Sequence, residues 1–397
     1  MQKRFGVYIH IPYCIQRCSY CDFATYVQTE ILPPEKYIEL IKREIRLRRH
    51  YLDFSQSEDL HLDTLYFGGG TPSLISSDLI VDLIAELNKQ GLKTSPQTEI
   101  TIEINPATVS EKKLNHYLEN GFNRFSVGAQ TFHDRLLKMV KREHSSDQTK
   151  ETLALLRKYN LNFSFDLLFA LPTQSLDELR QDVLTAIDLG SSHISPYCLT
   201  VPEGHPLSFN RPLDEEQIEM FNIIHENLNL AKFKRYEISN YGLSGFESQH
   251  NLLYWQDQDF WGLGLSAHSY SKKKTHFQKN TSWGSRYWNP NNIQVYENQI
   301  QQNLSELDST QIEFLAQHQA LTDFCHTSLR LEAGLKLDSL RIKFGEHLTK
   351  IVYDLAKPMV ERQLLSQNSE GFQLTNEGIL ISNQIFEKFT FLEVDIL

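Results

Sequence analysis

No run in this 397-residue chain approaches the roughly 20 consecutive apolar residues a helix needs to cross a bilayer. An integral membrane protein is therefore not expected. Low-complexity linkers and short tandem repeats are also missing, which excludes a flexible array or a solenoid. Positive charge is in deficit: 39 Lys and Arg stand against 50 Asp and Glu, a formal net charge of −11. Binding to nucleic acid through phosphate neutralisation is not expected of such a surface. Cysteine is sparse, and its five copies are an odd number, which disfavours a disulfide framework. No secretory signal is read ahead of the first cysteine; Met1-Gln-Lys-Arg leads straight into the strand-like Phe5-Gly-Val-Tyr-Ile-His-Ile. A reducing, cytoplasmic compartment is the expectation.

Three of the five cysteines, Cys14, Cys18 and Cys21, stand together at C-x3-C-x2-C spacing. Three thiolates this close can hold one corner of a metal cluster, and Phe23 stands where a nearby fourth cysteine could have been. A four-iron cluster would then keep one iron open to a ligand other than protein. A zinc site completed by His10 is the alternative, since zinc usually takes four Cys or His ligands. Cys198 and Cys325 stand apart and read as ordinary half-buried thiols.

From residue 5 to about 232, strand-like and helix-like segments alternate. Strands are predicted at 5–11, 62–67, 98–104, 123–129, 162–170 and 193–199. Several carry near-continuous apolar stretches, as strands covered on both faces do. Helices are predicted at about 34–51, 77–90, 109–119, 145–159, 175–189 and 213–231, the second stopping at Gly91. Six β-α units imply a parallel sheet with right-handed crossovers. The fold class is thus α/β, an incomplete (β/α)6 barrel, with ligands at the carboxyl ends of its strands. Residues 1–232 form this partial barrel and 233–305 extend it with further strands. Residues 306–397 form a mostly helical, winged-helix-like domain containing a hairpin at Leu364–Leu374. That last part holds 8 Lys and Arg against 14 Asp and Glu, so DNA binding by it is not expected.

The motifs gather on one predicted rim. The cysteine loop follows the first strand, and Gly68-Gly69-Gly70-Thr71-Pro72 follows the second. Glu103, Gln130, Asp166 and Tyr197-Cys198 lie in or at the ends of later strands. The glycine turn lacks the Gly-Lys-Ser/Thr of a phosphate-binding loop, but it lets backbone approach a ligand closely. Carboxylates on such a rim can accept hydrogen bonds from ribose hydroxyls, and Arg142 can pair with a carboxylate. His250-Asn-Leu-Leu-Tyr254-Trp255, if helical, puts His250 and Tyr254 on one face. That suits an axial porphyrin ligand with a stacking wall, or equally a structural histidine in an aromatic core; His268 is open to the same two readings. Two basic stretches, Lys42 to Arg49 and Lys272 to Lys274, read as solvated surface.

The Tyr8-Ile-His-Ile-Pro-Tyr-Cys run, the cysteine loop, Gly-Gly-Gly-Thr-Pro-Ser, Ser126-Val-Gly-Ala-Gln130, Asp166-Leu-Leu-Phe-Ala-Leu-Pro172 and Gly262-Leu-Gly-Leu-Ser-Ala267 belong together. In combination they resemble the anaerobic coproporphyrinogen III oxidase group of radical S-adenosylmethionine (SAM) proteins. Tyr236-Glu-Ile-Ser-Asn-Tyr241 and His250-Asn-Leu-Leu-Tyr-Trp255 resemble its heme chaperone branch. The resemblance implies a radical SAM barrel and a [4Fe–4S] cluster on Cys14, Cys18 and Cys21. It further implies SAM contacts at Tyr8, Tyr20, Gly69, Gly70, Thr71, Glu103, Gln130, Arg142 and Asp166. Cys198 and His268, with some of these, match contacts to a second SAM in the oxidase, and His250 matches the heme motif. Implied partners are heme and acceptor hemoproteins, including membrane-associated respiratory enzymes, with a homodimer and peripheral membrane contact in prospect. The alternative within the group is the oxidase itself, which decarboxylates coproporphyrinogen III. Phe23 in place of a further cysteine, and only 13 residues before Cys14, favour the chaperone branch.

Overall fold

The computed structural model describes residues 4–49, 59–272, 282–303 and 308–396. The expected continuation of the first helix to residue 51, Lys273 and Lys274 of the second basic stretch, and the boundary at 306 lie outside these residues. Six strands follow one another in the parallel sheet: β1 Phe5–Ile11, β2 Thr64–Gly69, β3 Glu99–Ile104, β4 Arg124–Gln130, β5 Asn162–Phe169 and β6 His193–Cys198. Between and after them run α1 Pro34–Arg48, α2 Ser77–Lys89, α3 Glu111–Glu119, α4 Ser146–Lys158, α5 Leu176–Asp188 and α6 Asp214–Leu230. Ser76, Ser110, Ser145 and Ser175 cap α2 to α5 by accepting from a backbone N–H of the first turn. Each satisfies a donor the helix would otherwise leave open.

The later strands add to both edges. β7 Lys234–Glu237 and β8 Asn240–Gly242 join antiparallel beside β6, while β9 Asp259–Leu263 joins β1 in parallel. Beyond β9 come the antiparallel β10 His268–Ser271, β11 Ser285–Trp288 and β12 Ile312–Phe314. Among the described residues the parallel part therefore has seven strands rather than six, within a sheet of twelve. Two short helices lie against this sheet region, α7 Gln249–Trp255 and α8 Ile293–Gln301. The C-terminal part packs α9 Gln317–Arg330, α10 Leu337–Glu361, kinked at Gly345, α11 Asn376–Leu380 and α12 Ser382–Lys388. They surround a second apolar core beside a small sheet of β13 Leu335–Lys336, β14 Leu365–Gln367 and β15 Gly371–Leu374. Among the described residues no helix is long and apolar enough to cross a membrane.

Three expectations need correcting. The parallel strands are not apolar on both faces. Val7, Ile9, Phe67, Ile102, Phe125, Val127, Phe163 and Phe165 pack into the main core, but the alternate residues Tyr8, Tyr66, Glu103, Ser126, Ser164 and Asp166 line a cavity. The basic stretch of α1 is not one solvated face. Arg48 is buried, bonded to Glu44 at 2.9 Å and Asn289 at 2.5 Å, and Glu44 also accepts from the Gly264 N–H and Tyr296 hydroxyl. The two outlying cysteines are not half-buried: Cys325 is wholly inside the C-terminal core and Cys198 is exposed.

Candidate functional site

The interior of the seven-stranded parallel region is a cavity of about 780 Å³ rather than a packed core. The cysteine loop closes one end and α7 the other.

Cys14 ends a two-residue strand paired with Tyr26–Val27. The loop beyond it is pinned where the Ser19 N–H donates to Val140 O at 3.2 Å and His205 Nε2 meets Ser19 O at 3.0 Å. Tyr20 packs on a satellite cluster of Leu136, Val140, Leu168 and Leu199. Cys14, Cys18 and Cys21 all line the cavity. Burial, reinforced by Cys21, pushes the Cys14 thiol up to about 11, so a metal must displace its proton on binding. Among the described residues, no group of three His, Cys, Asp or Glu side chains converges on a position for a single ion. His10, the fourth ligand of the zinc alternative, is buried, with its ring nitrogens on the Tyr8 hydroxyl at 3.1 Å and Ala24 O at 3.0 Å. The donor set fits a cluster better than one zinc.

The glycine turn sits beside the loop. Gly69 has φ +112°, and a Cβ there would meet the His10 ring at 2.5 Å, so only glycine fits. The Gly69 N–H donates to Glu103 Oε2 at 3.0 Å, that of Gly70 to Ile11 O at 2.8 Å and that of Thr71 to Tyr13 O at 2.7 Å. With its amides spent, the turn offers a ligand acceptors rather than donors, which suits an amine.

Glu103 Oε1 accepts from the Tyr66 hydroxyl at 2.9 Å. Burial, together with the charge of Asp166, raises the Glu103 carboxyl to about 7. Burial also raises that of Asp166, which accepts from Ser126 at 3.2 Å. A register shift after Val127 puts Gln130 at φ +69° and turns the end of β4 into the cavity. Arg142 donates to Cys18 Sγ at 3.6 Å, to Asn105 Oδ1 at 2.5 Å and to Gly128 O. It sets a positive charge next to the thiols.

At the opposite end, α7 closes the barrel near the start of the strands. Its first amides, those of Gln249 and His250, donate to Glu99 at 3.1 and 3.0 Å. His250 is 1% exposed. Its Nδ1 meets Thr64 Oγ1 at 2.6 Å and its Nε2 meets the Tyr254 hydroxyl at 2.8 Å, with the ring stacked on Tyr66 at 5.0 Å. Burial, aided by Arg124 and Arg4, drops its pKa to about 3. The ring is therefore neutral, the form that can ligate a metal.

Tyr8, Tyr20, Gly69, Gly70, Thr71, Glu103, Gln130, Arg142, Asp166, Cys198 and His250 all line this one cavity. Cys198 lies at its exposed rim, with Arg211 Nη2 at 4.0 Å. His268 does not join them. It belongs to β10, beyond the parallel strands, where it is exposed and stacks on Trp288 at 5.9 Å. Sequence reading missed Tyr66, Arg124, Ser126, Ser164 and His193, which also line the cavity. Their signal was present: Arg-Phe-Ser-Val-Gly-Ala-Gln and Ser-Phe-Asp alternate polar with apolar residues at the strand period.

Residues 8–186 match the model of the radical SAM superfamily, and residues 315–381 match that of the HemN C-terminal domain. A heme chaperone HemW of Bacillus subtilis is 30% identical over 394 residues, covering 97% of this chain and 98% of that protein. HemW of Lactococcus lactis is 29% identical over 400 residues, covering 98% of each. HemW of Escherichia coli is 34% identical over 268 residues, covering 66% of this chain and 69% of that protein. Among solved structures, coproporphyrinogen III oxidase (HemN) from Escherichia coli, described as a radical SAM enzyme, superposes with a TM-score of 0.79. It covers 98% of this chain and 90% of that one at 18% identity, a likeness of fold alone.

Proposed function

The chain belongs to the HemW family of radical SAM proteins, and from that premise we propose that it is a heme chaperone, which binds heme and hands it to acceptor hemoproteins. The observation that carries this reading is the match to HemW proteins over almost the whole length of the chain. The HemN likeness does not favour the oxidase, because it reaches only the fold. Cofactor sites fall in residues 1–232 and the heme motif in 233–305, with 306–397 as a lid or partner-docking part.

In this reading Cys14, Cys18 and Cys21 hold a [4Fe–4S] cluster. When bound, the cluster supplies an iron without a protein ligand, at which SAM can chelate. The acceptors of the Gly69–Thr71 turn orient the methionyl amine. Glu103, Gln130 and Asp166 reach the remaining polar groups of SAM, Tyr8 and Tyr20 wall the site, and Arg142 steadies the thiolate charge. His250 is the heme ligand. With its ring proton on Nδ1 towards Thr64 Oγ1, its neutral ring has a lone pair to offer once the Tyr254 hydroxyl releases Nε2, so loading heme requires that hydrogen bond to open. The setting proposed is cytoplasmic, with peripheral contact where acceptors are membrane-associated, and a homodimer as a further option.

The test is transfer. The anaerobically reconstituted chain, loaded with heme, is mixed with a heme-free b-type hemoprotein, and the acceptor spectrum is followed. Heme should pass to the acceptor, and incubation with coproporphyrinogen III, SAM and a reductant should give no protoporphyrinogen IX. Steady turnover in the second assay with no transfer in the first would move the chain to the oxidase reading.

A further inference from the structure

We propose that the deep end of the cavity, far from the cysteines, is a carboxylate pocket built on Arg124 and His193 that takes a propionate of a tetrapyrrole; the choice of tetrapyrrole rests on the heme reading.

Arg124 opens β4 and lines the cavity while only 2% exposed. Its Nε is buried without a hydrogen-bond partner. The carboxylate paired with it, Glu99, stands 3.9 Å away, and both Glu99 oxygens already accept from the first amides of α7. A guanidinium presents a rigid fork of donors that matches a carboxylate, and a buried charge so loosely paired is costly unless a ligand completes it.

His193 opens β6, lines the same cavity and is 1% exposed. The Ser248 N–H donates to the Tyr236 hydroxyl at 3.3 Å, and that hydroxyl lies 2.8 Å from His193 Nε2. In the tautomer where the Tyr236 proton points to Nε2, the proton of the neutral ring sits on Nδ1. Nδ1 is itself buried without a partner. At the cavity floor the Arg124 Nε donor and the His193 Nδ1 nitrogen thus both stand without a protein partner. Ser164 donates its proton to Ser126 Oγ at 2.9 Å, and Ser126 donates its own to Asp166 at 3.2 Å. Of the other carboxylates on the cavity, Asp22 and Glu143 belong to its cysteine end, and Glu103 and Asp166 are engaged by Tyr66, Gly69 and Ser126. What the floor lacks is an anionic acceptor. His250 lies on the same floor, so a ring whose iron meets His250 can present a propionate to Arg124.

Anaerobic, cluster-loaded full-length chain is titrated with hemin, hemin dimethyl ester, metal-free coproporphyrin III and SAM, for wild type, Arg124→Gln and Arg124→Lys. Wild type should bind hemin at least about tenfold tighter than its ester, the scale of one charge-assisted hydrogen-bond pair. Arg124→Gln should lose that preference, weakening hemin and coproporphyrin III about tenfold while ester and SAM binding and iron content hold; Arg124→Lys should recover part of it. Equal wild-type affinity for hemin and ester overturns the proposal without reference to any variant. So does an Arg124→Gln loss that falls equally on acid and ester, as a purely structural role would give, or one confined to SAM. If wild type binds coproporphyrin III in an Arg124-dependent way but no hemin, the pocket stands and the heme reading falls; binding neither overturns the pocket.

Discussion

At Glu103 two sets of influences oppose each other. Burial and the Asp166 charge raise its pKa to about 7, against hydrogen bonds from Tyr66 and Gly69 that lower it. The folded chain thus holds this proton more tightly than the unfolded chain, whose carboxyl titrates near the usual value. Its contribution is neutral at low pH and becomes destabilising as pH rises through the unfolded value towards 7. Relative to Glu103→Gln, wild type should lose about 2 kcal/mol of stability between pH 5.5 and 8, read from denaturant midpoints at both values. A gap that does not change with pH would contradict the assignment. His250 makes a second prediction, because its Nε2 is held by the Tyr254 hydroxyl. Tyr254→Phe should raise heme affinity several-fold, by roughly the net worth of one hydrogen bond. Unchanged or weaker heme binding in a spectral titration would mean that Nε2 is not the ligating atom.

Among the elements, the β-α turns were legible and the long-range pairings were not. The apolar stripe of α2 with Gly91 beyond it, and the alternation of apolar segments, placed α2 to α6 within about two residues, because these signals are local, whereas the short helix Asp134–Met139 was not read. The seventh parallel strand pairs Phe5 with Asp259, a contact that no local pattern announces. The spacing of His250 and Tyr254 made α7 readable as a helix. Its place at the floor could not be read, since that depends on Glu99 bonding its first turn from a strand 150 residues earlier. The cavity face of the strands was readable in principle, as Arg124, Ser126, Ser164 and Asp166 alternate with Phe125, Val127, Phe163 and Phe165. The glycine turn gives this scale its prediction. A Cβ at Gly70 would meet Tyr13 O at 2.7 Å and Pro12 C at 2.9 Å, both backbone atoms that cannot swing aside. Because that backbone leads directly into Cys14, Gly70→Val should lower iron and sulfide content together with SAM binding in equilibrium dialysis, whereas loss of SAM binding at full iron content would mean that the turn serves SAM without supporting the cysteine loop.

Over the whole molecule, the C-terminal core is tied to the end of α7. Arg330 donates to Glu237 at 2.8 Å and to Ser239 at 3.2 Å, and its guanidinium lies over the Trp255 ring at 4.5 Å. Lys343 meets Asp257 at 2.6 Å just beyond. The Glu237 side chain is wholly buried and without Arg330 keeps only the neutral donors Ser239 N–H and Asn240 Nδ2, so Arg330→Ala leaves its charge uncompensated and should cost about 3 kcal/mol. Thermal denaturation checks this, and a loss below 1 kcal/mol would mean that Glu237 finds another partner. The central claim is that a radical SAM fold here carries heme through His250. Its most direct test is anaerobic heme titration of the cluster-loaded chain, wild type against His250→Ala, with iron content measured in both. The account predicts saturable binding near one heme per chain in wild type, and loss of the axial-ligand spectrum in the variant at unchanged iron content. Identical spectra and affinities in the two proteins would contradict it.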